Sequence, residues 1–287
     1  TGERIALLGD SFTFGLGVAD DATFARGLET LGSEDGRQVL NLGLPGYSTD
    51  QEALFLERVA PRLDADHVIL VVCLINDVFD NERVFPLQAM QGKPRFRLEA
   101  GGTLILENVP VPRRPKGAGD MQGDLASLVM GEDREEQGAL AARLGRTEIA
   151  RRLGLFQPSF TPRTGYFEER FDGALDLFDA LVDRIRKTAA DQGAAFTLAV
   201  LPGRSYVEDP EGYSAQYQDF LRAAILERAS ARGIPGFDLA LGLRHAHDAG
   251  EGPFFHPHEG HLDAAGHAKV ATLLDAALES GRKGETK

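Results

Sequence analysis

Cys73 is the only cysteine in the chain, so no intrachain disulfide can form and the redox compartment is left open. Basic residues are scarce as well, with 31 Lys and Arg against 44 Asp and Glu and a net charge of −13. A phosphate-binding surface needs clustered Lys and Arg, so nucleic acid is excluded as the expected partner. No apolar run approaches the ~18 residues of a membrane-spanning helix. No secretory leader pattern is visible, and there are no internal repeats. A soluble domain is expected, its compartment left open, and extracytoplasmic if a segment has been trimmed ahead of Thr1. What is present suffices for a sizeable core: 287 residues, 43% hydrophobic and 26% charged. We read the chain as one domain over 1–287, with a polar, frayed tail at 280–287.

Strand-like apolar runs fall at 4–8, 38–41, 67–74, 195–201 and, more weakly, 234–237. Amphipathic helical patterns lie between and after them, at 22–31, 50–63, 173–191, 211–232 and 263–279. The runs around Val68 and Phe196 are nearly continuously apolar, as in parallel strands covered on both faces. Strands alternating with helices predict an α/β fold, a three-layer α/β/α sandwich on a mainly parallel sheet of about five strands. Cys73 ends the most apolar run and is expected to be a buried, inert thiol.

Residues 80–164 break the alternation and are rich in Pro, Gly, Arg and Glu. Two hairpin strands at 95–98 and 103–106 flank Glu99-Ala100-Gly101-Gly102, a turn signal. A proline-rich run and a helical pattern near 132–152 follow. So long an excursion within a domain reads as an insertion or lid over the site. Phe85, Phe96, Phe156 and Phe160 serve there either as a small local core, the preferred reading, or as apolar contacts to a substrate.

Four short blocks carry candidate chemistry. The first strand runs into Gly9-Asp10-Ser11-Phe12, which presents a hydroxyl at the strand's C-terminal edge, where open α/β sheets place reactive groups. A serine hydroxyl becomes a nucleophile only when a base takes its proton and donors await the oxyanion. The second strand leads into Asn41-Leu42-Gly43-Leu44-Pro45-Gly46-Tyr47-Ser48, a tight loop in which Gly46 allows close backbone approach. Thr49 or Asp50 is expected to cap the helix that follows. After the third strand come Asn76 and Asp77, an amide donor or simple turn chemistry. Late in the chain, His256-Pro257-His258-Glu259-Gly260-His261 precedes Asp263, the expected cap of the last helix. Asp10 is read as a turn and hydrogen-bonding residue.

In their order and placement these blocks resemble the SGNH hydrolases, also called the GDSL esterase/lipase family. The resemblance spans nearly the whole chain. It implies a flavodoxin-like SGNH fold and a serine ester hydrolase acting on an acyl or O-acetyl ester through a covalent acyl-serine intermediate. Ser11 matches the nucleophile and His261 the base. The Ser11 backbone N–H, Gly46 and Asn76 match the oxyanion donors. No metal or organic cofactor is implied. The sequence departs at the triad acid: the family usually carries Asp three residues before the histidine, where this chain has His258. Glu259, two residues before, is the expected substitute, accepting the Nδ1–H of His261; a Ser-His dyad or a remote carboxylate is the alternative.

Two other classes compete with hydrolysis. The family also holds O-acyltransferases that act on carbohydrates with the same groups, and a degenerate scaffold would leave a non-catalytic carbohydrate-binding module. His256, His258, Glu259, His261 and His267 suggest zinc ligands. The helical His-Glu-x-x-His signature fails, however, because Leu262 stands four residues after His258, and Pro257 and Gly260 oppose a regular helix. The expected partner is therefore a small-molecule or glycan ester. Acyl length, natural substrate and oligomeric state are not encoded in these motifs.

Overall fold

The computed structural model describes residues 2–86, 92–111, 164–258 and 260–285. Its main sheet has five strands: β1 (Arg4–Gly9), β2 (Gln38–Gly43), β3 (His67–Cys73), β6 (Ala195–Leu201) and β7 (Gly236–Asp238). They lie in the order β2-β1-β3-β6-β7, and every pair is parallel. Ile5, Ala6, Leu7 and Leu8 of β1 are fully buried, and all seven residues of β3 are buried. That is why both strands read as unbroken apolar runs rather than alternating ones. Burying each such large aliphatic side chain stabilises the fold by about 1.5–3 kcal/mol.

Nine helices stand among the described residues: α1 (Ser11–Phe14), α2 (Phe24–Leu31), α3 (Thr49–Val59), α4 (Asp77–Asp80), α5 (Tyr166–Asp191), α6 (Arg204–Glu208), α7 (Tyr213–Ala231), α8 (Leu239–Asp248) and α9 (Ala264–Glu285). From β1 the chain moves outward through α2 to β2, then returns through α3 to β3 on the other side of β1. Parallel crossovers are right-handed, so this reversal places α2 and α3 on opposite faces of the sheet. α5 and α7 continue in the direction of α3, and α5 packs against α3. α9 returns to pack on α2, completing three layers. Close approach of α2 and α9 needs a glycine: a Cβ on Gly27 would lie 2.8 Å from the Ala271 Cβ. An ion pair from buried Arg37, the residue before β2, to Asp275 at 2.6 Å ties the middle of the same helix to the start of that strand.

The reversal between β1 and β3 is a topological switch point, and the crevice outside such carboxyl ends is where ligands bind in open α/β sheets. Ser11 follows β1 and Asn76 follows β3, so the two flank that point.

Boundaries differ from the sequence reading in physically intelligible ways. α3 gives way at Ala60–Arg62 to a 3-10 turn, where Pro61 cannot supply a helical N–H. β7 starts at Gly236 rather than at 234, because the Ile234 N–H is used by the Ala229 carbonyl at the end of α7. The expected hairpin is present: β4 (Arg95–Leu98) pairs antiparallel with β5 (Leu104–Glu107). Phe96 is buried there against Leu177 and Leu181 of α5, with the Arg184 guanidinium 4.8 Å from its ring centre. It thus anchors the hairpin to the body. Phe85 is half-buried. Phe156, Phe160 and the helical pattern near 132–152 lie outside the described residues. Cys73 is buried, and burial pushes its thiol well up.

Candidate active site

Each loop at the C-terminal edge is shaped by local chemistry. Asp10 caps α1, its carboxylate accepting the Phe12 N–H at 2.8 Å. Ser11 is the first residue of that one-turn helix, a position whose backbone N–H has no intrahelical carbonyl to meet. The turn closes at Gly15, whose φ of 86° favours glycine. After β2, the Leu44 N–H donates to the Gly9 carbonyl at 2.9 Å, fastening the Gly46 loop beside the Ser11 turn. Gly46 itself has φ 76°, a conformation that L side chains adopt only with strain.

Across 250 positions of sequence, Ser11 Oγ and His261 Nε2 stand 2.8 Å apart. His261 is held in the loop before α9 by two contacts. The His256 N–H donates to the His261 carbonyl at 2.8 Å, and Phe255 bridges to Leu262. Asp263 caps α9 as expected, accepting the Gly266 N–H at 2.9 Å. Glu259, the expected triad acid, lies outside the described residues.

Asn76 is buried, and its amide nitrogen donates to Asp77 Oδ1 at 3.3 Å. Asp77 Oδ2 accepts the Cys73 N–H at 2.7 Å, so one carboxyl organises the whole turn after β3. The structure therefore brings together Ser11 and His261 directly, and places Gly46 and Asn76 on the two loops flanking the Ser11 turn.

Beneath these loops lies a group of buried carboxyls: Asp10 and Asp77, read from the sequence as turn residues, and Glu52, which that reading did not single out. Asp10, Glu52 and Asp77 are each at most 2% exposed. Burial pushes Asp10 up to about 6, against hydrogen bonds from the Phe12 N–H and the Asn76 and Cys73 side chains that pull it down. Glu52 is pushed well up by burial and by the charges of Asp10 and Asp50. Asp77 is raised by burial and then by Glu52 and Asp10. Neither oxygen of Glu52 has a hydrogen-bond partner among the described residues, so no hydrogen bond there opposes the burial that raises it.

Helix α3 is not capped as expected. Ser48 occupies the capping position without a side-chain bond to the helix, while Asp50 Oδ1 accepts both the Ser48 hydroxyl at 2.9 Å and the Gln51 N–H at 2.8 Å. His267, a candidate ligand in the zinc reading, is turned inward, and its Nδ1 accepts the Phe24 N–H at 3.2 Å. Among the described residues no group of three or more His, Cys, Asp or Glu is arranged to hold a metal ion. Nor is any helix among them long and apolar enough to cross a membrane.

The model of the GDSL-like lipase/acylhydrolase family matches residues 7–269. Among curated proteins no sequence relative matches. Solved structures similar in fold include the acetyl xylan esterase AlAXEase, at TM-score 0.51 and 12% identity over 96% of this chain and 99% of that one. The psychrotrophic esterase EstA from Pseudoalteromonas sp. aligns at TM-score 0.50 and 10% identity, over 98% of this chain and 99% of that one. LAE5, an alpha/beta hydrolase enzyme from the metagenome of Lake Arreo, Spain, aligns at TM-score 0.50 and 12% identity, over 96% and 95%. At such identities these neighbours establish the shared architecture alone.

Proposed function

Because the chain belongs to the GDSL-like lipase/acylhydrolase family and so to the carboxylic ester hydrolases, we propose that Ser11 is its nucleophile and His261 its general base. The observation that supports this reading is the 2.8 Å separation of Ser11 Oγ from His261 Nε2. At that distance an imidazole nitrogen can take the hydroxyl proton as the oxygen bonds to an ester carbonyl carbon. The carbonyl π electrons move to oxygen, and the backbone N–H groups of Ser11 and Gly46 with the Asn76 amide receive the oxyanion. Collapse expels the alcohol, protonated by His261, and leaves an acyl-serine. Water, deprotonated by the same imidazole, then releases the acid and restores the hydroxyl. Glu259 accepts the Nδ1–H of His261 and stabilises the imidazolium. The substrate is a small-molecule or glycan ester, acyl or O-acetyl.

The test is covalent. A serine-directed fluorophosphonate should label Ser11 and abolish turnover of a p-nitrophenyl acyl ester, and Ser11→Ala should lose both labelling and turnover. Turnover that survives in Ser11→Ala refutes the assignment. A panel of acetyl, butyryl and long-chain esters alongside acetylated glycans then resolves acyl length.

A further inference from the structure

Lys93 belongs to the segment that departs from the sheet after β3, yet its side chain is buried, and its ammonium ends on Asp50 Oδ2 at the start of α3. Its own backbone is pinned, the Lys93 N–H donating to the Val84 carbonyl at 2.8 Å. Asp50 joins three pieces of chain. Its Oδ1 takes the Ser48 hydroxyl at 2.9 Å, two residues beyond Gly46. Its backbone N–H donates to Asn81 Oδ1 at 3.1 Å. Asn81 follows α4, the single turn that begins at Asn76 and is closed by the Asp80 N–H to the Asn76 carbonyl at 2.7 Å. Ser48, Asp50 and Asn81 are fully buried, and Lys93 is 2% exposed.

We infer that Asp50 and Lys93 are a positioning pair for the proposed oxyanion donors, locking the Gly46 loop and the Asn76 turn at one spacing under the control of the inserted segment. This rests on the esterase reading above. Donors at an oxyanion are effective only when pre-set to the transition-state geometry, and Gly46 and Asn76 sit on separate loops, after β2 and β3, which are kept apart by β1. The node supplies the connection. A buried carboxylate is a rigid junction only while its charge is balanced, and burial, which raises Asp50, is opposed chiefly by Lys93. Asp80 adds its charge on the Lys93 side. Loss of the ammonium drives Asp50 toward its protonated form and weakens its hold on Ser48.

The test is a double-mutant cycle on turnover of a short acyl ester, with Lys93→Met, Asn76→Ala and the double variant, each checked for folding. Lys93→Met should lower kcat by about tenfold to a hundredfold, the scale of a misplaced catalytic geometry, with little change in KM. In the Asn76→Ala background the same substitution should cost at least about threefold less, because a donor it positions is already gone. Equal losses in both backgrounds, or an unaltered kcat, overturn the inference and reduce the pair to a stability element. Should Lys93→Met fail to fold, Ser48→Ala removes one arm of the node and runs the same cycle with the same criteria. A wild-type chain that neither hydrolyses esters nor takes the fluorophosphonate at Ser11 overturns the esterase reading instead. A labelled, active chain with additive losses overturns only the positioning role.

Discussion

The Phe12 ring lies against the His261 imidazole, with centroids 4.7 Å apart and planes inclined by 37°. The residue after Ser11 thus braces His261, coupling the orientation of the proposed nucleophile and base to one short turn. Phe12 is 3% exposed, and emptying such a site to alanine costs about 3–5 kcal/mol. Phe12→Leu is the informative change, because it keeps most of the volume and removes the flat face. Its kcat should fall by about tenfold through lost orientation while KM holds. Wild-type kcat in a folded Phe12→Leu would show that the ring only fills space.

Asn76→Ala removes the one side-chain donor assigned to the oxyanion. Turnover should fall by about a hundredfold to a thousandfold, as for other single-donor losses. Asn76→Asp should be no better, since a carboxyl lacks the amide N–H donors and crowds a further acid against Asp10 and Asp77. Steady-state kcat near normal in either variant contradicts the role.

Gly43 ends β2 directly under the nucleophile turn. A Cβ there would lie 2.1 Å from the Phe14 nitrogen and 2.6 Å from the Thr13 carbonyl carbon. Both are backbone, so the turn itself must shift. Gly43→Ala should therefore lower thermal stability and also slow fluorophosphonate labelling of Ser11. Gly173 is the contrast: it sits exposed in α5 with nothing within 4 Å of a built Cβ. Gly173→Ala should leave labelling unchanged and stabilise the helix by up to about 1 kcal/mol. Equal labelling rates in Gly43→Ala and the wild type would sink the steric argument.

Burial pushes His267 down to about 4, from an ordinary value of 6.5. Between those limits the unfolded chain takes a proton that the native imidazole refuses, so stability is lost as pH falls through that window. The loss amounts to about 3 kcal/mol. Asp10, raised to about 6, acts with the opposite sign: its native carboxyl binds a proton sooner on acidification and stability is gained. A paired comparison separates the two. His267→Asn keeps an acceptor toward the Phe24 N–H and deletes the titration. Urea midpoints at pH 7 and pH 4.5 should show the wild type losing more than the variant. Parallel losses would exclude His267 as the cause.

The five strands are legible because each apolar run ends in a turn signal, and the same turns hold Ser11, Gly46 and Asn76. Pattern reading falters where elements are short or interrupted. α6, with five residues, has no room to show a period. α5 begins at Tyr166 rather than at 173, although Phe167, Phe171, Leu175 and Phe178 recur at helical spacing and carry the signal. The buried charges are the larger omission. Glu52 and Lys93 sit in segments whose composition reads as solvated surface, since such residues are rarely buried. Nothing local in the sequence pairs Lys93 with Asp50. That pairing is decided by where two distant loops fold together, and only coordinates reveal it.

The His261 imidazole reaches Ser11 from a loop that follows every strand of the main sheet and leads into α9. Synthesis therefore places the Ser11 hydroxyl 250 residues ahead of the imidazole proposed to activate it. Until that loop is made, the hydroxyl has no such partner and, on the proposed mechanism, stays inert toward esters. In the proposed mechanism hydrolysis requires the loop before α9 to be in place, with α9 packed on α2, so activity would report that the sandwich has closed.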